Sequence, residues 1–597
     1  SFRDFIEKYP EIAEPIEVLF KQNKALGRHA GGVIVSEDIG ERMPLIMAKG
    51  EVQTPWVEGM HYKHLEEFGW IKFDLLGLET LRIIERCISL ILQRHEGIKD
   101  PTFAQVKEWF DNNIDPKVID FNDQHVYENV YHAGRWGGIF QATQKGAQQF
   151  FMKAKPQSIV DIATLTSIYR PGPLNAGVHK IYTQAKANPQ DIDYQHPLIK
   201  EVLEPTYGAI IFQEQIMQLC NVVAGFPQED CDKIRRTIMK RSASKADAMK
   251  AEAEALKKQF VEGSVNNGVP RNVADELYEK ILFFSGYGFN KSHAVSYAMD
   301  SYFCAWLMTY YEEEWLCAYL ESMSGNDKKR AKAFNEVRKL GYKIVPIDIN
   351  YADKGWAILE GKKFMPSFLS CKGVGEAAID EIIENRPYNS YEDMLWTDEG
   401  KWRHSKFNKR ALEALIKIRA LDSLHIDGPD SPFESYKHMH EVVINNNSDV
   451  KKSTKRDPER GKRLCLEHAL SNEGCGEWSR VELAENLVSH LGSCNASSLV
   501  PETLLNRFDE MNVAAVDSYS GKDIYWFIVT NVAKKKTRKG KPYLLLTTAG
   551  DSGVNERMFM WGWDGKLEIE KYSVCIAEVD RSDFGFATRQ RKVKVLK

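Results

Sequence analysis

The sequence predicts a multidomain α+β protein. Three observations predict it. The chain has 597 residues, more than a single hydrophobic core usually organises. From about residue 79 to 325 the apolar spacing is mostly helical. From residue 525 it alternates as in strands, through W-F-I-V-T-N-V, Y-L-L-L-T-T and M-F-M-W-G-W.

Composition bounds the function. Hydrophobic residues at 43% and charged residues at 27% are those of a soluble globular chain. The net charge of -4 excludes a uniformly basic nucleic-acid binder, so any DNA surface must come from local clusters. The ten cysteines are scattered at Cys87, Cys220, Cys231, Cys304, Cys317, Cys371, Cys465, Cys475, Cys494 and Cys575. That is too sparse for a disulfide scaffold and points to a reducing, cytoplasmic setting. No apolar run is long enough to span a bilayer, and no signal peptide opens the chain. The first residue, Ser1, fits either removal of an initiator methionine or a cut in a longer precursor.

The elements follow in order. Residues 1–25 read as short helices broken at Pro10 and Pro15. G-R-H-A-G-G-V-I-V-S (27–36) reads as a glycine turn entering a strand, and I-K-F-D-L-L-G-L (71–78) as a second β-rich run. The helical stretch is interrupted at Pro171-Gly172-Pro173 and around Gly286 and Gly288. R-K-L-G-Y-K-I-V-P-I-D-I-N stops a helix and starts a strand, and 366–425 returns to helix. Residues 426–465 read as polar and loop-like, with a basic run of Lys451, Lys452, Lys455, Arg456, Arg460, Lys462 and Arg463 that fits a solvated linker.

Several motifs carry chemistry. In a strand, Lys72 and Asp74 share one face. The carboxylate suits a divalent metal and the ammonium a phosphate, although a surface ion pair gives the same pattern. On the helix at 229–241, Lys233, Arg236 and Lys240 form a basic stripe, with Arg235 beside it and Arg241 extending it. Guanidinium forks suit phosphate oxygens; a solvated helix face looks alike. Y-R-P-G-P-L (169–174) is a rigid turn bearing Arg170. G-Y-G-F-N-K-S-H (286–293) is a glycine-rich loop bearing Asn290, Lys291, Ser292 and His293.

Taken in order, G-R-H-A-G-G-V, K-F-D-L-L-G-L-E-T-L, G-I-F-Q, Y-R-P-G-P-L, E-P-T-Y-G, F-Q-E-Q-I-M, R-R-T-I-M-K-R and G-Y-G-F-N-K-S-H-A-V-S-Y-A resemble the palm and fingers of C-family replicative DNA polymerases, the family of the DNA polymerase III alpha subunit. The resemblance covers roughly residues 20–325 strongly and 340–425 moderately. It implies a partial Pol-beta-like palm, large helical fingers, a helix-hairpin-helix domain and a C-terminal OB-fold barrel. The boundaries it suggests are 1–80 for the end of the thumb and half of the palm, 81–325 for the fingers, and 326–425 for the helix-hairpin-helix and clamp-binding-like domain. A linker and divergent insertion would follow at 426–520, and the OB-fold at 521–597.

The resemblance also implies roles. Asp74 matches a palm carboxylate that holds Mg2+, and Lys72 a palm lysine near the nucleotide phosphates. Arg235, Arg236 and Lys240 match the fingers cations on the incoming deoxynucleoside triphosphate. Arg170, Asn290, Lys291, Ser292 and His293 match the wall of that pocket. The implied reaction is two-metal transfer of a deoxynucleotide to a primer 3′ hydroxyl. The family's other palm carboxylates, a P-D-x-D-x-D-F type run, have no counterpart here. D-I-D-Y (191–194) and Asp348 match it only superficially and read as structural. The expectation is therefore a chain inactive alone that needs an N-terminal polymerase polypeptide as partner, besides primer-template DNA and a sliding clamp implied by resemblance only.

L-S-C-K-G-V-G-E-A-A-I-D-E-I-I (369–383) resembles a helix-hairpin-helix, with Gly373 and Gly375 making the hairpin whose amides bind a DNA phosphate. A degenerate second unit falls at 409–421, where Arg419 stands near a glycine common in the family. The run 530–543 puts Lys534, Lys535, Lys536, Arg538, Lys539 and Lys541 on one hairpin near Tyr543, Trp561 and Trp563, a surface for single-stranded template. Cys465, His468, Cys475 and Cys494 lack a C-x-x-C pair, which disfavours zinc. Two other classes remain: a non-catalytic DNA-binding or processivity subunit, and a helix-hairpin-helix nuclease or ligase-like protein. Nucleotide binding separates the polymerase reading from both.

Overall fold

The computed structural model describes residues 2–19, 22, 31–48, 50–54, 65, 67–75, 77–243, 247–285, 287–324, 327–492, 494, 499–537, 539–551, 553–582 and 585–596. The chain divides into two units, residues 1–79 and 80–597.

In the first unit β1 (Gly32–Val35) pairs antiparallel with β4 (Ile71–Asp74), and β2 (Ile46–Ala48) with β3 (Glu51–Gln53). Ile34 lies opposite Lys72, both half-buried. The alternate positions Val33, Val35, Ile71 and Phe73 face outward and are 44–66% exposed. Met43, Leu65 and Trp70 form a small core. The expected break at Pro15 does not occur. Proline occupies the first turn of the helix Ala13–Leu19, where its missing N–H costs no hydrogen bond.

The second unit is helical to residue 339. Its first core gathers α1 (Glu79–His95), α2 (Ile159–Ile168), and, further along, the helices Lys291–Tyr310 and Glu312–Met323. Another core joins α3 (Gln213–Gln218) and α4 (Gln228–Ala243) to the helices around 256–281. We number Lys291–Tyr310 as α5. Gly341, at φ +87°, ends the helix Asp327–Lys339, and the chain enters a three-stranded sheet of β5 (Lys343–Ile344), β6 (Ala357–Leu359) and β7 (Lys363–Met365) in the order 5-7-6.

The helix-hairpin-helix region contributes α6 (Glu376–Asn385) and α7 (Lys409–Lys417). Residues 426–465 are not the loop their polarity suggests. Tyr436, Met439, Val442, Val443, Ile444, Val450 and Cys465 are buried in the same core as residues 347–426. A helix, α8 (Arg480–Leu491), packs on α7.

The C-terminal strands are β8 (Asp523–Lys536), β9 (Pro542–Ala549), β10 (Glu556–Trp561), β11 (Val574–Ser582), β12 (Gly585–Arg589) and β13 (Val593–Leu596). The ring order is 8-9-10-12-11 and back to 8, with β13 added to β11. Only β10–β12 among these neighbours is parallel. The ring closes a five-strand barrel whose interior holds Phe527, Leu544, Leu546, Met558, Met560 and Ala577.

Candidate nucleotide and DNA sites

Four sequence motifs spread between residues 169 and 291 meet in the second unit. Phe212 and Phe289 form a parallel bridge, the Phe289 N–H donating to the Ile211 carbonyl (3.0 Å) and the Gln213 N–H to the Phe289 carbonyl (2.9 Å). Gln213 Nε2 donates to the Gly288 carbonyl (3.1 Å). The Gln215 amide, buried, accepts from the Ile211 and Phe212 N–H groups and donates to Thr206 Oγ1 (2.7 Å). So E-P-T-Y-G, F-Q-E-Q and G-F-N-K interlock.

The fourth motif joins through Arg170. Its Nε donates to the Ser167 carbonyl and its Nη2 to the Tyr287 carbonyl, both at 2.8 Å. The guanidinium lies 4.5 Å from the Phe289 ring centre. Burial lowers its pKa. A Cβ on Gly172 would come within 2.6 Å of the Tyr287 ring, so only glycine lets the Pro-Gly-Pro turn pass this loop. The sequence reading placed Arg170 on a pocket wall. The structure shows it fastening the loop through two carbonyls.

Asn290 caps α5, its Oδ1 accepting the His293 N–H (2.8 Å). Glu214, which the sequence reading missed, accepts from the Lys291 N–H (2.9 Å) and Asn290 Nδ2 (3.2 Å). A carboxylate thus satisfies the start of a 20-residue helix, where an anion is electrostatically favoured. Its signal was legible as the acid inside F-Q-E-Q. Ser292 and His293 are exposed, Lys291 is half-buried, and the His293 ring lies 4.1 Å from that of Tyr297.

On α4, Asp232 binds both arginines. Arg235 donates through Nε (3.0 Å) and Nη2 (2.7 Å), and Arg236 Nη2 lies at 2.7 Å. The Arg235 hydrogen bond first, and then both positive charges, hold the Asp232 carboxyl below the usual range. The Arg235 side chain is 12% exposed and that of Arg236 68%. Lys233 is exposed, and α4 packs on α3. Lys72 sits mid-strand on β4, and Asp74 ends that strand. The side chains of Asp74 and Lys240, and Arg538 altogether, lie outside the described residues.

A finger-domain model, that of the bacterial DNA polymerase III alpha subunit, matches residues 80–268. The chain is 33% identical to the DNA polymerase III subunit alpha of Campylobacter jejuni over 74% of its own length. It is 33% identical to that of Aquifex aeolicus over 71%, and 31% identical to that of Borreliella burgdorferi over 74%. This chain belongs to the DNA polymerase III alpha family. It spans about a third of these relatives, 36%, 34% and 36% of their lengths respectively.

A helix-hairpin-helix motif matches residues 341–428. Gly373, at φ +113°, packs so closely that an added Cβ would lie 3.3 Å from that of Ala414. Gly375 opens α6, and nothing lies within 4 Å of its Cβ direction. The Lys372 N–H donates to the His490 carbonyl (2.8 Å), and His490 Nδ1 bonds the Lys372 carbonyl (2.9 Å), so α8 braces the hairpin. Arg419 adopts the left-handed conformation (φ +58°), with its guanidinium 5.0 Å from the Tyr436 ring centre.

On the barrel, Lys534, Lys535, Lys536, Lys539 and Lys541 are all exposed around the β8–β9 turn. Tyr543 pairs across from Lys535 on one side and Trp561 on the other. Phe559 stacks on Trp561 (5.6 Å, 8°), and Tyr543 lies 4.8 Å from Trp561. Phe559 was missed by the sequence reading. Trp563 belongs elsewhere: its Nε1 donates to the Leu567 carbonyl, and it packs on the barrel core beneath Lys534.

Cys465 is buried, and His468 meets Asp449 at 3.2 Å. Among the described residues no three His, Cys, Asp or Glu are grouped to hold a metal ion, and no helix is long and apolar enough to cross a membrane. Asp348 accepts from the Asn350 and Ser423 N–H groups, and Asp191 to Tyr194 line a cavity beside Lys280.

Proposed function

We propose that this chain is the nucleotide- and DNA-binding portion of a replicative DNA-directed DNA polymerase, with the remaining palm carboxylates supplied from outside these 597 residues. The family match of 80–268, together with the way Arg170 and the F-Q-E-Q segment both fasten the 287–293 loop, carries the reading. β1 and β4 are half of a palm. The exposed apolar face of Val33, Val35, Ile71 and Phe73 supports an incomplete sheet that continues elsewhere.

In this reading Arg235 and Arg236 neutralise the incoming triphosphate, and Arg170 and Glu214 fix the loop that borders it. Asp74 is the carboxylate given to Mg2+. One aspartate does not make a two-metal site, so the metals, which would activate the primer hydroxyl and stabilise the leaving pyrophosphate, require carboxylate ligands besides Asp74. The barrel's ring order and its single parallel neighbour pair support reading it as an OB-fold. Its basic turn and the stacked trio Tyr543, Phe559 and Trp561, of which Trp561 is exposed, suit single-stranded template. The protein works in the cytoplasm with primer-template DNA, deoxynucleoside triphosphates and a sliding clamp.

The test is binding of a deoxynucleoside triphosphate to the chain. Saturable binding that is weakened about tenfold in Arg236→Ala supports the polymerase reading. DNA binding without nucleotide binding would favour a non-catalytic subunit.

A further inference from the structure

A buried ion pair lies behind the loop that Arg170 fastens. The Asp161 carboxylate on α2 accepts from the Lys186 ammonium (2.7 Å), the Tyr182 hydroxyl (2.9 Å) and the Gln157 N–H (2.9 Å). The side chains of Lys186 and Asp161 are only 7% and 3% exposed. Lys186, on the helix Val178–Ala187, also donates to the Tyr207 hydroxyl (3.1 Å). Taking both charges out of water offsets most of their attraction, so such a pair adds little stability over apolar residues of the same size. Its use is then to be sought in what it holds in place.

It holds the tyrosine of E-P-T-Y-G. Tyr207 is left-handed (φ +52°), a backbone conformation that disfavours a side chain and persists only where the surroundings fix it. The residue before it, Thr206, donates to the Ala209 carbonyl (2.6 Å) and accepts from Gln215 (2.7 Å). Gln215 in turn takes the Ile211 and Phe212 N–H groups, and Ile211 and Gln213 bond Phe289. Arg170 closes the circuit, since it holds Tyr287 at one end and the Ser167 carbonyl of α2 at the other. Asp161 sits in the first turn of that same helix.

We propose that Lys186, aimed by Asp161, is a positioning residue for the incoming triphosphate. It pins Tyr207, and through Thr206 and Gln215 it sets the 287–293 loop that borders the triphosphate. It acts through these residues and not by contact with the nucleotide. The inference rests on the reading that this chain binds a deoxynucleoside triphosphate beside that loop.

The experiment titrates the full chain with deoxyadenosine triphosphate and follows hydrogen exchange over 205–215 and 287–293, with the barrel strands 523–549 as control. Tyr207→Phe keeps the ring and removes the hydroxyl. It should weaken binding about fivefold, the scale of one hydrogen bond, and speed exchange in both segments but not in the barrel. Lys186→Met alone would strand a buried carboxylate, so it is paired with Asp161→Asn. The double variant should lose at least as much affinity, and adding Tyr207→Phe to it should cost nothing further, as for residues that act through one contact. A lower melting temperature with unchanged affinity and unchanged exchange at 287–293 overturns the inference, and so does a Tyr207→Phe effect that simply adds to that of the double variant. No triphosphate binding by the wild-type chain overturns the polymerase reading instead, and exchange at 287–293 then still tests the link from Lys186.

Discussion

The guanidinium of Arg170 lies over the ring of Phe289, 4.5 Å from its centre, while its N–H groups hold the Ser167 and Tyr287 carbonyls. One side chain thus locks a turn to a loop more than a hundred residues away. Arg170→Ala should free the 287–293 loop and weaken triphosphate binding about tenfold, or about 1.4 kcal/mol. Arg170→Lys should recover little, because an ammonium cannot fork to two carbonyls and stack at once. Nucleotide titration, with hydrogen exchange over 285–295, reads both effects.

Glu214 satisfies the start of α5 with a negative charge. Glu214→Gln should lower the melting temperature yet tighten triphosphate binding severalfold if phosphates approach this helix end. Unchanged affinity would place the phosphates away from α5.

The two arginines on α4 differ in exposure, so their variants should differ. Arg236→Ala should reduce nucleotide affinity by about tenfold with unchanged melting. Arg235→Ala should lose both affinity and stability, since its side chain is largely buried against Asp232 and its surroundings.

Trp561 is 40% exposed on the stacked face of the barrel. Trp561→Ala should cost about 1–3 kcal/mol in single-strand affinity. Trp563→Phe should change that affinity little, because Trp563 lies on the barrel core. A fluorescent oligonucleotide titration separates them.

Glu381 ties α6 to the turn before α7, accepting from the Ser405 (2.8 Å), Lys406 (2.7 Å) and Phe407 (2.5 Å) N–H groups. Burial alone would raise its pKa, but these N–H groups outweigh it and hold it below the usual range. A carboxyl with a depressed folded pKa stabilises above its unfolded value and loses that contribution as pH falls through the folded one. Glu381→Gln should therefore lower the melting temperature at pH 7, by about 2 kcal/mol of stability, and the difference should shrink as the pH falls below the usual carboxylate range.

The order of the motifs was legible in the sequence; the way they touch was not. G-F-N-K and F-Q-E-Q meet through backbone pairing between Phe212 and Phe289, which no local pattern encodes. The second hairpin reads as degenerate in the sequence because Arg419 stands near a glycine common in the family, and the residue is left-handed (φ +58°). The left-handed strain is offset by a ring contact with Tyr436, from a segment read as loop. That segment hid its helices because Tyr436–Met439 is one short turn that runs into a π-helical stretch at His440–Ile444. The barrel's alternation was plain, yet Phe559 was overlooked, since only its register beside Trp561 and Leu545 shows that it faces outward.

The most direct measurement is primer extension by this chain, alone and mixed with a polypeptide that carries the missing palm carboxylates. The account predicts synthesis only in the mixture, abolished by Asp74→Ala. Synthesis that survives Asp74→Ala, or a mixture that binds primer-template but never extends it, would contradict it.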